Sequence, residues 1–351
     1  MEKVVYVLGA GFSAPLGLPV MSNFLEKAKD MYFANQQDYD YFPGILEEIK
    51  KMHFAKSYYN TDLFNIEEIL SILEMDQSLS TTRINFKRLI KDVIEYYTPK
   101  FNFDGMQINE SNWQNLLLGS HSDSWTNYGF FLACVFNLMA TATKPFSSDP
   151  LCRPQFHKNP NASYHYSIIS LNYDLIIEQV CKHVSAYFGS KSNFCLAKTI
   201  SDISNTAFSM PFAKLHGSIE EKGNIIPPTW NKGLMSEGIL EQWKLAVKVL
   251  SEANHIRILG YSLPTTDSYV KYLFKAAILH TQNLKSFDVI CMDRVGYLEG
   301  RYKDFVHFEK FRYRNRDIND YLHQMRSATR MDNGVSFFDQ LEARHNIFMG
   351  G

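Results

Sequence analysis

The five cysteines of this chain (Cys134, Cys152, Cys181, Cys195, Cys291) are widely spread, odd in number and never spaced as C-x-x-C. That pattern excludes a disulfide framework and a zinc ribbon, so no metal is expected and a reducing cytoplasm is the expected setting. No uninterrupted apolar run reaches bilayer-crossing length, which removes the membrane from the expected partners. Glu2 interrupts the positive stretch that an export signal needs, and a Gly-rich turn falls where cleavage would occur. The first residues therefore read as a strand. There is no low-complexity tract, no Walker-A G-x-x-x-x-G-K-[ST] and no recognisable nucleic-acid motif. A formal net charge of -1 announces no nucleic-acid surface. Arg294–Arg330 holds a local excess of Arg and Lys, which reads as a solvated face, with a partner surface as the alternative.

What is present is the composition of a folded protein, 45% hydrophobic and 21% charged, long enough at 351 residues for one large domain or two. The chain is organised around Val4–Pro19, VVYVLGAGFSAPLGLP. Val4, Val5, Tyr6 and Val7 predict a strand, and Gly9-Ala10-Gly11-Phe12-Ser13-Ala14 after it is G-x-G-x-x-A, a nucleotide-binding turn. Gly9 permits the tight turn. Gly11 is expected to let the backbone approach a pyrophosphate, whose charge sits on N–H groups at a helix N-terminus. A dinucleotide-dependent dehydrogenase should then show a second strand ending in an acidic residue. That strand is missing, and Asp30, at the right distance, lies in a helical context.

Ser22 is expected to cap a helix running to about Met31. Leu63–Leu79 and Thr82–Tyr97 carry apolar stripes at helical spacing, and Tyr128–Ala142 reads as a buried helix. Thr98–Trp125, polar and rich in Gly, Ser and Asn, reads as a long loop that gates the pocket or mediates assembly. Strand chemistry returns in Ser167–Leu171, Ala213–Leu215, His255–Leu259 and Phe287–Met292, with helices expected over Leu240–Ser251 and Ser268–His280. Asp267 is expected to cap the second of these. A further helical patch is expected at Phe337–Leu341.

Five strand-to-turn junctions, most followed by helices, predict an α/β fold. The expected form is a Rossmann-like parallel sheet with helices on both faces and a large helical insertion after the first strand. Residues 1–30 and 165–295 form the expected NAD-binding core, 31–164 the mostly helical insertion, and 296–351 a C-terminal segment packing on the core or on a partner.

Polar residues collect at the strand ends: Gly9, Ala10, Gly11, Ser13, Asn172, Asp174, His216, Gly260, Ser262 and Asp293. Asn172 and Asp174 are also residue types that cap a following helix, and polar strand-end residues such as Ser262 and Asp293 are common. Four motifs in this order resemble the sirtuin superfamily. GAGFSAPLGLP is similar to its GAGxSxxxGIP turn, SLNYD to its post-strand Asn and Asp, KLHGS to its catalytic His-Gly, and LGYSL to its Gly-x-Ser phosphate and ribose contact. Two departures stand out: the four-cysteine zinc ribbon of sirtuin deacetylases is missing, and Val20-Met21-Ser22 replaces their Asp-Phe-Arg. The chain more closely resembles bacterial sirtuin-like NAD hydrolases of antiphage defence.

That resemblance implies NAD+ as a substrate cleaved to nicotinamide and ADP-ribose. It also implies a homo-oligomer and, as a partner, a separate ATPase or nucleic-acid-guided defence protein. The residue chemistry fits the same roles. Asn172 orients water and holds ribose hydroxyls, His216 accepts a proton, and Asp174 accepts a hydrogen bond from the nicotinamide carboxamide. The glycine turns, with Ala10, Ser13, Ser262 and Asp293, hold phosphates and ribose. An NAD-dependent protein deacylase, a non-catalytic ADP-ribose or nucleotide sensor and, last, an oxidoreductase are the competing readings.

Overall fold

The computed structural model describes residues 1–52, 65–75, 77–99, 123–143, 153–186, 194–205, 209–220, 225, 236–265, 267–279, 283–332 and 335–350. In chain order the strands are β1 (Glu2–Leu8), β2 (Leu138–Thr143), β3 (Arg153–Lys158), β4 (Tyr164–Ser170), β5 (Cys195–Ala197), β6 (Ser209–Lys214), β7 (His255–Leu259), β8 (Ser286–Ile290), β9 (Phe311–Arg314), β10 (Arg330–Asp332) and β11 (Val335–Phe337). The helices are α1 (Ala10–Ser13), α2 (Phe24–Ala34), α3 (Phe42–Met52), α4 (Ile66–Met75), α5 (Ser80–Tyr97), α6 (Asp123–Val135), α7 (Ile176–Ala186), α8 (Ile200–Asn205), α9 (Glu237–Ser251), α10 (Ser268–Ile278), α11 (Leu298–Lys303), α12 (Ile318–Gln324) and α13 (Leu341–Phe348).

Seven strands form one parallel sheet in the order β5-β6-β4-β1-β7-β8-β9. The period-2 alternation of β1 places Val4, Tyr6 and Leu8 in one core and Val5 and Val7 in the other. Helices α2–α7 and α12 cover the first face, and α9–α11 cover the second. With both faces covered, β1 is apolar at every position from Val4 to Leu8, the pattern of a central parallel strand. The chain is thus α/β and Rossmann-like. It leaves β1 toward β4 on one side and later adds β7 on the other. That reversal of strand order opens a crevice beyond the carboxyl ends.

Several elements depart from the sequence expectations. The apolar run Tyr128–Ala142 is not one helix: α6 stops at Val135, and β2 takes over from Leu138. Asn137 marks the break, in the left-handed region at φ 54, a conformation Asn tolerates. Strand β2 pairs antiparallel with β3 and β11 in a four-stranded sheet β10-β11-β2-β3, so the region before β4 is not purely helical. The expected helical patch at Phe337–Leu341 is instead the end of β11 and the start of α13. Ser22 caps nothing. It lies in a 3-10 turn closed by Val20 N–H donating to Asn23 Oδ1 at 2.9 Å, and α2 begins at Phe24. The Thr98–Trp125 loop falls almost wholly outside the described residues, and Asp123–Trp125 already belongs to α6.

The segment rich in Arg and Lys is only partly a solvated face. Its β9 is the edge strand of the main sheet, and Arg312 forks onto Asp288 through Nε at 2.6 Å and Nη2 at 2.9 Å. Asp288 also faces His345 Nε2 at 3.1 Å, while His345 Nδ1 meets Tyr321 OH at 3.0 Å. One turn away on α13, Glu342 accepts from Arg257 Nη1 at 2.8 Å and from Tyr166 OH at 3.0 Å. Helix α13 is therefore fastened to the sheet by buried charge.

Burial and the Arg257 guanidinium, outweighing the pull of Asp288, push the His345 imidazole down to about 4. Burial alone would raise the Asp288 carboxyl, yet its bonds to His345 and Arg312 hold it well below the usual carboxylate range. An imidazole depressed in the fold contributes stability above its unfolded value, about 6.5, and loses it as pH falls through the folded value. Unfolding free energy should fall by about 1 kcal/mol per pH unit between about pH 6 and 4. Urea titrations of His345→Gln, which keeps one donor and one acceptor but no titrating group, should show a flatter slope over that window. Equal slopes in the two proteins would contradict the assignment.

Candidate active site

Two glycine turns meet at the carboxyl edge of the sheet. Gly9 N–H donates to Leu259 O at 3.0 Å and Gly11 N–H to Gly260 O at 2.9 Å, tying the turn after β1 to the turn after β7. A Cβ on Gly9 would lie 2.6 Å from Tyr261 Cα, and one on Gly11 2.9 Å from Gly260 Cα. Gly260 has φ +65, and a Cβ there would sit 2.3 Å from Phe12 N. Backbone packs directly on backbone, which only glycine allows. Gly9 and Gly11 thus have a packing role beside the one expected of them. Their N–H groups face the neighbouring turn, and Phe12 N–H donates to Gly9 O at 2.8 Å, so these donors do not point at a ligand.

The locked turns form the floor of a cavity of about 1150 Å³. All ten strand-end residues singled out from the sequence line it. Asn172 follows β4, and its Nδ2 donates to Gly9 O at 3.0 Å and to Ser13 Oγ at 3.2 Å. Because a carbonyl oxygen only accepts, the Gly9 contact fixes which end of the amide is nitrogen. Asn172 Oδ1 is left without a hydrogen-bond partner among the described residues. The Ser13 hydroxyl donates onward to Asp174 Oδ2 at 2.7 Å, and Asp174 Oδ1 accepts from Ile176 N–H at 3.2 Å. Asp174 thus caps the first turn of α7 and also anchors Ser13. The capping alternative is realised, and each of its oxygens retains a further lone pair.

His216 sits just beyond β6, nearly fully buried, with Nε2 3.3 Å from Asp267 Oδ2. The Tyr261 hydroxyl donates to the same carboxylate oxygen at 2.8 Å. A carboxylate facing Nε2 favours the tautomer with its proton there, leaving Nδ1 as the basic atom. Asp267 was expected to cap α10, but the structure shows no such side-chain cap bond and turns the carboxylate to the imidazole. It is the residue that sequence reasoning assigned to the wrong task. Its position just before a helix masked a contact to His216 across 51 residues of chain.

Ser262 is exposed at the mouth, and its carbonyl accepts from Arg301 Nη1 at 3.1 Å. Asp293 turns its carboxylate onto its own loop, accepting from the N–H groups of Val295, Gly296 and Leu298 at 3.2, 2.8 and 2.6 Å. Burial raises this carboxyl, but the N–H donors outweigh it and hold it below the ordinary value. Its side chain closes the β8–α11 loop. Among the described residues, no group of three or more His, Cys, Asp or Glu side chains is gathered as metal ligands would be. No helix there is long and apolar enough to cross a membrane.

No family model and no curated protein matches the chain. Among solved structures it is similar to a crystal structure of Sir2 in complex with the inhibitor EX-527, 2'-O-acetyl-ADP-ribose and deacetylated p53 peptide. Identity is 11%, the match covers 93% of either chain, and the TM-score is 0.32. An overlap this weak adds nothing to what strand order and site geometry show.

The glycine lock makes a direct prediction. Gly260→Ala places a methyl group against backbone in a left-handed conformation and should destabilise the protein by about 2–4 kcal/mol. Gly300→Ala, where nothing lies within 4 Å of the added carbon, should stay within about 1 kcal/mol of wild type. Chemical denaturation of both variants tests this, and equal midpoints would refute the lock.

Proposed function

We propose that the chain hydrolyses NAD+ at the nicotinamide–ribose bond. The observation that carries this reading is the convergence, in one cavity above the glycine turns, of an amide with a free carbonyl oxygen and an imidazole polarised by a carboxylate. As the C1'–N bond breaks, its electron pair neutralises the pyridinium nitrogen, so nicotinamide leaves without needing a proton. Positive charge develops on the ribose. The Asn172 oxygen faces that charge and orients a water, which adds to C1'. His216 Nδ1 takes the proton that the water loses, and Asp267 stabilises the imidazolium formed. The products are nicotinamide, ADP-ribose and one proton.

The four motifs similar to sirtuins support NAD+ as the substrate, and the lack of a zinc ribbon favours water over an acyl-lysine as the acceptor. By the same resemblance, the biological setting proposed is NAD depletion in antiphage defence, in an assembly with copies of itself or a defence partner. Asp267 enters this scheme as a positioning residue for His216.

Incubation with NAD+ and no acylated peptide should release nicotinamide and ADP-ribose in equal amounts. Asn172→Ala and His216→Ala should each lower kcat by about 100-fold or more, and Asp267→Asn by about 10-fold or more, all with native melting curves. Nicotinamide release that requires an acylated peptide would identify a deacylase. Tight ADP-ribose binding with no turnover, even in a reconstituted assembly, would identify a sensor.

A further inference from the structure

Within the cavity, Asn172 and His216 stand on two separate loops: Leu171–Leu175 after β4, carrying Asn172 and Asp174, and Leu215–Ile219 after β6, carrying His216. A backbone bond joins them, Ile219 N–H to Tyr173 O at 3.2 Å, and Leu215 N–H donates to Ser170 O at the end of β4 at 3.1 Å. What joins them from behind is Lys214, the last residue of β6 and 3% exposed. Its ammonium donates to Asp174 O and, at 2.9 Å, to Glu178 Oε1 in the first turn of α7. It also reaches Tyr173 O and Ser218 Oγ, each at 3.5 Å. One buried cation therefore touches both loops and the helix that follows the first.

The companion carboxylate is incompletely satisfied. Glu178 Oε2 is buried with no hydrogen-bond partner among the described residues. Buried ion pairs are often no more stable than apolar pairs of similar volume, and an orphaned oxygen makes this one a poor device for stability alone. What an apolar pair does not supply is a set of three directed donors that hold loop carbonyls in place. The carboxylate in turn balances the ammonium's charge. A lone ammonium behind Asp174 would oppose the positive charge that develops on a departing ribose, and the Glu178 carboxylate cancels it.

We propose that Lys214 and Glu178 form a clasp that holds the Asn172 loop in register with the His216 turn. Lys214 is thereby a positioning residue for turnover rather than for nucleotide affinity. The inference rests on the hydrolase reading for its effect on rate, and on geometry alone for its effect on the loops.

The test uses the full chain with the double variant Lys214→Met/Glu178→Leu, which keeps volume and removes both charges together. It should melt near wild type and bind ADP-ribose within about threefold of wild type, yet lose about 10-fold or more in kcat. Hydrogen–deuterium exchange should quicken in 171–175 and 215–219 and stay unchanged in β1 and β7. Glu178→Gln, which keeps shape but leaves the ammonium uncompensated, should also lower kcat with ADP-ribose affinity unchanged, and it decides the matter should the double variant not fold. Wild-type kcat in the variants, with unchanged exchange in both loops, overturns the clasp. A wild-type protein that releases no nicotinamide overturns the hydrolase reading instead, and the exchange measurement still decides whether the clasp exists.

Discussion

The direct contact of backbone on backbone between the turns after β1 and β7 is the constraint from which the site follows. Gly9, Gly11 and Gly260 lack side chains, so the two turns close to distances that any Cβ would forbid. That closeness aims Gly9 O at Asn172 and brings Ser13 to Asp174. It also sets the course of the loop Gly260–Asp267, whose last residue faces His216. Leu263 in that loop adopts φ 49, a left-handed conformation costly for a branched residue, and is completely buried. The surrounding packing fixes the path that delivers Asp267. A glycine-rich turn usually understood through its ligand is here also a structural joint.

The two hydrogen-bond networks of the cavity differ in how they are built. After β1 and β4, Asn172 donates to Ser13 and Ser13 to Asp174, which also accepts from Ile176 N–H at the start of α7. Spanning that pair, Tyr261 and Asp267 after β7 reach His216 after β6, so a hydroxyl, a carboxylate and an imidazole meet. Each network orients one group of the proposed site: the Asn172 amide in the first, the His216 ring in the second. The C-terminal segment takes no part in either network. It contributes β9 and the buried anchor of α13 on Arg257 and Asp288, supporting the sheet whose ends carry the site.

Much of this was legible in the sequence, for physical reasons. A central parallel strand must be apolar on both faces, so β1, β4, β7 and β8 read directly from VVYVL, SIISL, HIRIL and FDVIC. The polar residues that break those runs necessarily sit at the carboxyl edge, which is why the ten candidates line one cavity. The second sheet was not legible. Its strands β10 and β11 are three residues each, and the apolar start of β2 continues the pattern of α6. The sheet is joined into one by the β11–β2 pairing across nearly two hundred residues, which no local pattern shows. Asp267 was misassigned because a carboxylate before a helix looks the same whether it caps that helix or reaches elsewhere. Lys214 was visible only as a letter in KLHGS, since nothing local shows a lysine curling back on carbonyls forty residues earlier.

The central claim is spatial: one nucleotide, one cavity, an amide and an imidazole on the same reacting carbon. A crystal structure of the protein soaked with ADP-ribose tests it most directly. The account predicts the pyrophosphate above the turns after β1 and β7, with the anomeric hydroxyl of the terminal ribose within hydrogen-bond reach, about 3 Å, of both Asn172 Oδ1 and the His216 ring. ADP-ribose bound outside this cavity, or within it with the terminal ribose turned away from both groups, would contradict the account.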